Sequence, residues 1–172
     1  MQPHRHRSFD KELTRELARC ARDGLPPTLL LIDVDHFKSY NDSYGHQEGD
    51  ECLKRLSHLL RGMPRRPGDV AARFGGKEFA VILPNTSADG GHHFAENVHT
   101  AVETLNIPHC RSSYGVVTVS IGLACALPIA GIEAAMLQNA DAAPSSTEEN
   151  GRNRVEVFDR PTLAMSARLY GA

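Results

Sequence analysis

Apolar residues along the chain follow a helical period in some stretches and form short continuous runs in others. After an N-terminal helix, the order of these stretches is β-α-α-β-β-α-β-α-β. Helices are predicted over 8–22, 37–41, 48–61, 87–106 and 132–142, and strands over 28–33, 70–74, 79–83, 116–124 and 154–158. Strands that alternate with helices predict an α/β (α+β) sandwich, with a central sheet of about five strands flanked by helices.

Composition limits the class of protein. The 172 residues, 41% of them hydrophobic, suit one globular domain with a core of its own. A formal charge of −2 gives no electrostatic argument for nucleic-acid or membrane partners. No apolar run approaches the roughly 20 residues of a membrane span and no signal peptide follows Met1, so we expect a cytoplasmic protein. The four cysteines show no Cys-x-x-Cys pair, which favours reduced thiols over a metal or redox site.

The first segment with candidate functional residues lies where the strand at 28–33 ends. Four apolar residues are followed by Asp33 and Asp35, and carboxylates at a strand end suit Mg²⁺, which prefers oxygen ligands. Asp33 is the better ligand candidate, because we expect Asp35 to open the following short helix. For Asp-x-Asp alone, a helix cap beside a solvated acid is an equally good interpretation.

The second segment is a predicted hairpin whose turn contains Gly75 and Gly76. Glycine has no Cβ, so backbone at such a turn can approach a phosphate closely. Most glycine pairs simply close hairpins. The functional interpretation therefore depends on the combination with the Asp33 segment.

Together these blocks resemble the GGDEF family of diguanylate cyclases, which join two GTP molecules into cyclic di-GMP. The resemblance is strongest over 8–159, within an expected domain of 1–160 that leaves 161–172 as a tail. The matching blocks, in family order, are 33–38, 41–42, 44–46, 49–50, 73–76, 78–79, 118–122, 140–141 and 151–155. The resemblance implies a palm-like fold with the hairpin in the centre of the sheet.

The resemblance also implies a reaction. The 3′-hydroxyl of one GTP would attack the α-phosphate of another, so activity would belong to a homodimer. Mg²⁺ or Mn²⁺ would neutralise the charge that develops on the phosphate oxygens. By matching positions, Asp33, the Val34 carbonyl and Glu78 would hold the metal, and Asp33 and Glu78 would be catalytic.

Substrate binding is implied for a further set of residues. Asn41 and Asp50 would read the guanine edge, since an amide and a carboxylate complement its donors and acceptors. Helix capping is the alternative for both. Lys38 and Arg152 would hold phosphates through charge-assisted hydrogen bonds. The remaining substrate-binding positions are Phe37, His46, Gly75 and Gly76.

Lys77 departs from the family pattern, which has a metal-bridging acid at this position. A change from −1 to +1 beside a divalent ion replaces attraction by repulsion. We expect Lys77 to pair with Asp33 and to occupy the space of the metal. The alternative is that Lys77 extends into solvent and leaves one weakened metal site.

A second departure lies before the block at 151–155. Pro144 should end or kink the preceding helix. Glu148 stands where the family has a phosphate-binding lysine. Two charge reversals in one pocket argue against efficient turnover, although altered nucleotide binding remains compatible with them.

Arg66 and Asp69 form a third motif, because they match the family's Arg-x-x-Asp inhibitory site for cyclic di-GMP. Arginine can bind the guanine Hoogsteen edge, and aspartate can accept from its Watson-Crick donors. An exposed Pro67-Gly68 turn is the alternative.

These features predict a diguanylate-cyclase-like domain that is catalytically impaired and binds GTP or cyclic di-GMP as a regulatory module. An active homodimeric cyclase and a structural partner without ligand are the alternatives. The family usually carries sensor or output domains, which we expect in the full-length protein.

Overall fold

The computed structural model describes residues 6–63, 66–73, 75–125 and 152–158. Within them the elements are α1 (His6–Asp23), β1 (Thr28–Val34), α2 (Phe37–Tyr44), α3 (His46–Gly62), β2 (Val70–Arg73), β3 (Glu78–Leu83), α4 (Ala88–Thr104), β4 (Val119–Cys125) and β5 (Val155–Phe158). Each element predicted in these ranges is present, with ends shifted by a few residues. The helix predicted over 132–142 and the tail at 161–172 lie outside the described residues.

The five strands form one mixed sheet in the order β2-β3-β1-β4-β5. β1 pairs antiparallel with both β3 and β4, and β5 lies parallel to β4. The centre is therefore β1, and the prediction that the β2–β3 hairpin is central is wrong. The physical reason is hydrophobicity: β1 is almost entirely buried and requires neighbours on both sides, whereas β2 is only half-buried and lies at an edge.

Side chains of β1 alternate between two cores on opposite faces of the sheet. Leu30 and Ile32 belong to the larger core, which α3 and α4 complete. Leu29 and Leu31 pack with residues of α1 on the other face. By the same alternation, Asp33 continues the α1 face at the end of the strand.

Gly91 allows α4 to pack closely on the sheet. A Cβ at this position would lie 2.5 Å from Thr28 Cγ2 and 3.0 Å from Leu123 Cδ1. We expect Gly91→Ala to lower the free energy of unfolding by about 1–3 kcal/mol, because well-packed cores resist added methyl groups. Gly62→Ala is the matched control, since its Cβ would meet no atom within 4 Å. Chemical denaturation compares the two, and equal losses would contradict the close approach of α4.

Two expectations about cysteines and membranes bear on the fold. All four cysteines are free; Cys20 and Cys52 are buried, whereas Cys110 is exposed. Among the described residues, no helix combines the length and apolarity that crossing a membrane requires.

Candidate functional site

The end of β1 and the hairpin turn are joined by main-chain hydrogen bonds. Asp33 and Glu78 are directly opposite each other in the β1–β3 register. The Val34 amide donates to the Lys77 carbonyl at 3.2 Å. These contacts bring residues that are more than 40 positions apart in sequence into one cluster of charged side chains.

Lys77 forms an ion pair with Asp33, with 2.7 Å between Nζ and Oδ1. The predicted internal ion pair is therefore present, and the alternative in which Lys77 extends away into solvent is wrong. The Asp33 side chain is 19% exposed and that of Lys77 39%, so the ion pair is partly accessible to solvent. Burial raises the pKa of the Asp33 carboxyl above its ordinary value, and the hydrogen bond from Lys77 opposes that shift. A raised carboxyl pKa favours the protonated form in the folded chain, so ionisation of Asp33 weakens folding as pH rises through that pKa.

The two glycines of the hairpin turn have different surroundings. A Cβ on Gly75 would collide with the Glu78 carboxylate, whereas one on Gly76 would meet nothing within 4 Å. The Arg73 side chain donates to the Gly75 carbonyl at 3.2 Å and to that of Gly76 at 3.0 Å. A side chain at position 75 would therefore force the Glu78 carboxylate to move, whereas Gly76 offers open space to a ligand.

The charged cluster does not fit the divalent ion that the sequence predicts for it. One oxygen of Asp33 is bonded to an ammonium, and the carboxylate of Glu78 lies over Gly75. In the part of the chain that the structure describes, no group of three or more His, Cys, Asp or Glu side chains is arranged to hold a metal. Divalent cations of this kind need several oxygen ligands turned toward one point.

The contact between α2 and α3 contains a second candidate position. The Asn41 side chain packs on Gly49, where any Cβ would overlap with its Oδ1. This buried Oδ1 has no hydrogen-bond partner among the described residues. Buried amide oxygens are normally satisfied, so an unsatisfied one is a candidate acceptor for a ligand donor. Neither Asn41 nor Asp50 caps a helix, because Asn41 lies inside α2 and Asp50 inside α3, and the capping alternative is wrong for both.

The other predicted substrate-binding residues differ in burial. Phe37 is half-buried, stacks on Tyr40 with ring centroids 6.1 Å apart, and lies beside Gly49. Lys38 and His46 are exposed on α2 and α3, whereas Arg152 is half-buried before β5. Glu148, the second predicted charge reversal, and Pro144 lie outside the described residues.

Asp35 has a structural position that the sequence interpretation missed. It does not open α2, whose N-cap is His36 in a left-handed conformation, and that prediction is wrong. Its buried carboxylate accepts hydrogen bonds from the Thr118 hydroxyl at 2.8 Å, the Ser120 hydroxyl at 2.7 Å and the Asn153 amide at 3.1 Å. Asp35 therefore joins β1, β4 and the segment that contains Arg152.

Asn153 completes this connection from the other side. Its side chain contacts His99 Nε2 at 2.6 Å and donates to Glu103 at 2.9 Å, both on α4. Its φ of 60° is a left-handed conformation that asparagine tolerates better than most residues. No pattern along the chain marks His99 or Glu103, because their role depends on a residue about 50 positions away.

Arg66 and Asp69 form a compact turn at a separate place on the surface. The Arg66 amide donates to Asp69 Oδ2 and the Asp69 amide to the Arg66 carbonyl, each at 3.0 Å. Gly68 has a φ of 96°, which favours glycine. The turn that was the alternative interpretation is therefore present, and ligand binding by Arg66 and Asp69 stays a prediction.

A cavity of about 610 Å³ opens beside this turn. Arg66 and Asp69 line one side, and Asn85, Phe94 and Asn97 line another. An aromatic ring with nearby amides and a guanidinium suits a planar, polar base. The sequence interpretation did not predict the last three residues, since they follow the motif by many positions.

Comparisons with known proteins agree with this geometry. A family model described as the diguanylate cyclase GGDEF domain matches residues 4–154. The chain is 37% identical over 154 residues to the probable diguanylate cyclase DgcC of Escherichia coli, covering 90% of this chain and 41% of DgcC. The chain thus spans less than half the length of that curated relative.

Solved structures show the same fold. The GGDEF domain of DgcB from Caulobacter crescentus in complex with c-di-GMP superposes with a TM-score of 0.80 at 32% identity, covering 90% of this chain and 91% of that one. The active GGEEF domain of a diguanylate cyclase from Vibrio cholerae gives 0.78 at 27% identity, covering 92% and 99%. The predicted family and fold class are confirmed by these matches.

Proposed function

The chain belongs to the diguanylate cyclase GGDEF domain family, and from this premise we propose that it binds guanine nucleotides in cyclic di-GMP signalling while its cyclase catalysis is weak or lost. The observation that carries the proposal is the Lys77–Asp33 ion pair of 2.7 Å. Diguanylate cyclases of this family are generally metal-dependent. A cation bonded to a carboxylate that would ligate the metal removes a condition for that chemistry.

Loss of the metal need not remove base recognition. Asn41 of α2 packs on Gly49 of α3 and offers a buried amide oxygen. Asp50 on α3 adds a carboxylate that can accept from guanine N1 and N2 donors. Lys38 and Arg152 supply positive charge for the phosphates. The domain therefore keeps a means of binding GTP even with Mg²⁺ or Mn²⁺ binding weakened or lost.

Cyclic di-GMP is the second proposed ligand, bound at the turn of Arg66 and Asp69. The adjoining cavity offers Phe94 for stacking and two asparagine amides for polar contacts. The DgcB domain with the same fold was solved in complex with c-di-GMP. Product binding at this turn would make the domain a receptor as well as a relative of the enzymes.

Calorimetric titration with cyclic di-GMP tests this second ligand. We expect Arg66→Ala to weaken binding by at least about tenfold, because a bidentate arginine–guanine contact is worth about 1–3 kcal/mol. Arg111→Ala is the matched control, since Arg111 is exposed on a loop away from the cavity. Equal affinity of wild type and Arg66→Ala, or no binding by either, would contradict the effector role.

The assembly follows from the same proposal. If catalysis persists it requires two copies, each with one GTP, and an active homodimeric cyclase is the competing function. A protein that carries this domain would couple it to sensor or output domains. If neither nucleotide raises the melting temperature, the domain acts only as a structural partner.

A further inference from the structure

The charged cluster of Asp33, Lys77 and Glu78 differs from a metal site because one of its three side chains is positively charged. Asp33 and Glu78 lie opposite each other on neighbouring strands, where like charges repel. Lys77 offsets part of that repulsion through its bond to Asp33. A divalent cation would have to displace this ammonium and then remain beside it. The positive charge of the charged cluster is therefore supplied by a side chain of the protein.

Lys77 also has unused hydrogen-bonding capacity. An ammonium group has three donors, and the bond to Asp33 uses one. With 39% of its side chain exposed, Lys77 can keep that bond and present a second donor to a ligand oxygen. The adjoining Gly76 is exposed and has no atom within 4 Å of a Cβ position, so a phosphate has room to approach.

From this arrangement we propose that the charged cluster of Asp33, Lys77 and Glu78 binds a nucleoside triphosphate free of divalent metal, with the Lys77 ammonium as the phosphate countercharge. The inference rests on the proposed nucleotide-binding function and changes the chemical form of the ligand. A metal-free triphosphate carries more negative charge than its Mg²⁺ complex, so both its attraction to the Lys77 ammonium and its repulsion by Asp33 and Glu78 are stronger. Direct contact between the phosphates and the ammonium must therefore outweigh the two carboxylates. A bound Mg²⁺ would instead be repelled by Lys77.

Calorimetric titration with GTP tests the proposal, once in excess EDTA and once in excess Mg²⁺. We expect wild-type affinity in EDTA to equal or exceed that in Mg²⁺. Lys77→Met should weaken binding in EDTA by about tenfold or more, since it removes one charge-assisted hydrogen bond to a phosphate. Lys77→Asp should bind measurably only in Mg²⁺.

Lys54→Met is the matched control. Lys54 forms an equally short lysine–carboxylate pair, 2.6 Å from Glu51, on the exposed surface of α3. This variant should bind GTP as the wild type does in both conditions.

The outcomes separate this inference from the function on which it rests. Wild-type affinity at least tenfold higher in Mg²⁺ would overturn metal-free binding and leave nucleotide binding intact. Unchanged affinity of Lys77→Met in EDTA would also overturn it, because Lys77 would then not contact the phosphates. Failure of the wild type to bind GTP in either condition overturns both GTP proposals, and the cyclic di-GMP titration then decides whether the receptor role survives.

Discussion

Replacing Lys77 by aspartate is expected to raise Mn²⁺ affinity more than tenfold and to increase conversion of GTP to cyclic di-GMP above the wild-type rate. Two unit charges about 4 Å apart interact with about 4 kcal/mol at an effective dielectric near 20. The substitution reverses the sign of that interaction with a divalent ion. Even after strong solvent screening, the change exceeds the roughly 1.4 kcal/mol that corresponds to a factor of ten.

Lys77→Met separates the two parts of this effect. It removes the ammonium without adding a carboxylate, so Mn²⁺ affinity should lie between those of the wild type and Lys77→Asp. Mn²⁺ titration followed by electron paramagnetic resonance measures the affinities, and chromatography of the nucleotides measures turnover. Comparable turnover by wild type and Lys77→Asp would refute the electrostatic argument and favour the active cyclase.

Replacing Asp35 by alanine is expected to lower the free energy of unfolding by about 3 kcal/mol or more. The carboxylate is buried and accepts from Thr118, Ser120 and the Asn153 amide. Hydrogen bonds to a charged group contribute about 1.5–3 kcal/mol each, and buried donors left without a partner add a further cost. The loss should be non-additive, because the three donors share one acceptor group.

Asp42→Ala is the matched control for this loss, since Asp42 is exposed on α2 and should change stability by less than about 0.5 kcal/mol. Guanidinium denaturation measures both variants. Asp35→Asn should be intermediate, because one oxygen remains as an acceptor. If Asp35→Ala is no less stable than Asp42→Ala, the carboxylate does not hold β4 and the Asn153 segment in place.

Asp35→Ala also has an expected functional consequence. The Asn153 amide is directly bonded to Asp35, and Arg152 is the adjoining residue. Release of this segment should weaken GTP binding while leaving cyclic di-GMP binding at Arg66 unchanged.

Periodicity was sufficient to predict the elements that could be compared, because each amphipathic helix and each apolar strand is a local property of the chain. The order of the strands in the sheet is not a local property of the sequence. The hairpin was expected in the centre, yet β1 takes that position since it is buried on both faces and needs partners on both edges.

In the candidate site, too, local sequence predicted some residues, whereas contacts between distant residues were not predicted. Asp33 and Glu78 were predicted from their blocks, and their register pairing agrees with a shared site. The hydrogen bonds of Asp35 were not predicted, because their donors Thr118 and Ser120 lie more than 80 positions away in sequence. In a local pattern these two residues look like any other polar residues of a strand. The cavity beside Arg66 was missed for a related reason, since its other wall comes from α4 and the segment before it.

The sequence by itself determined the family, the element order and the sign of the charge at residue 77, all of which depend on residue type and spacing. Only the tertiary structure decided where that charge lies. An ammonium on a flexible side chain can turn to solvent or to a neighbour, and the choice depends on the surroundings that folding creates. Here the β1–β3 register and the bond between the Val34 amide and the Lys77 carbonyl bring Lys77 to Asp33, with 2.7 Å between the ammonium and the carboxylate.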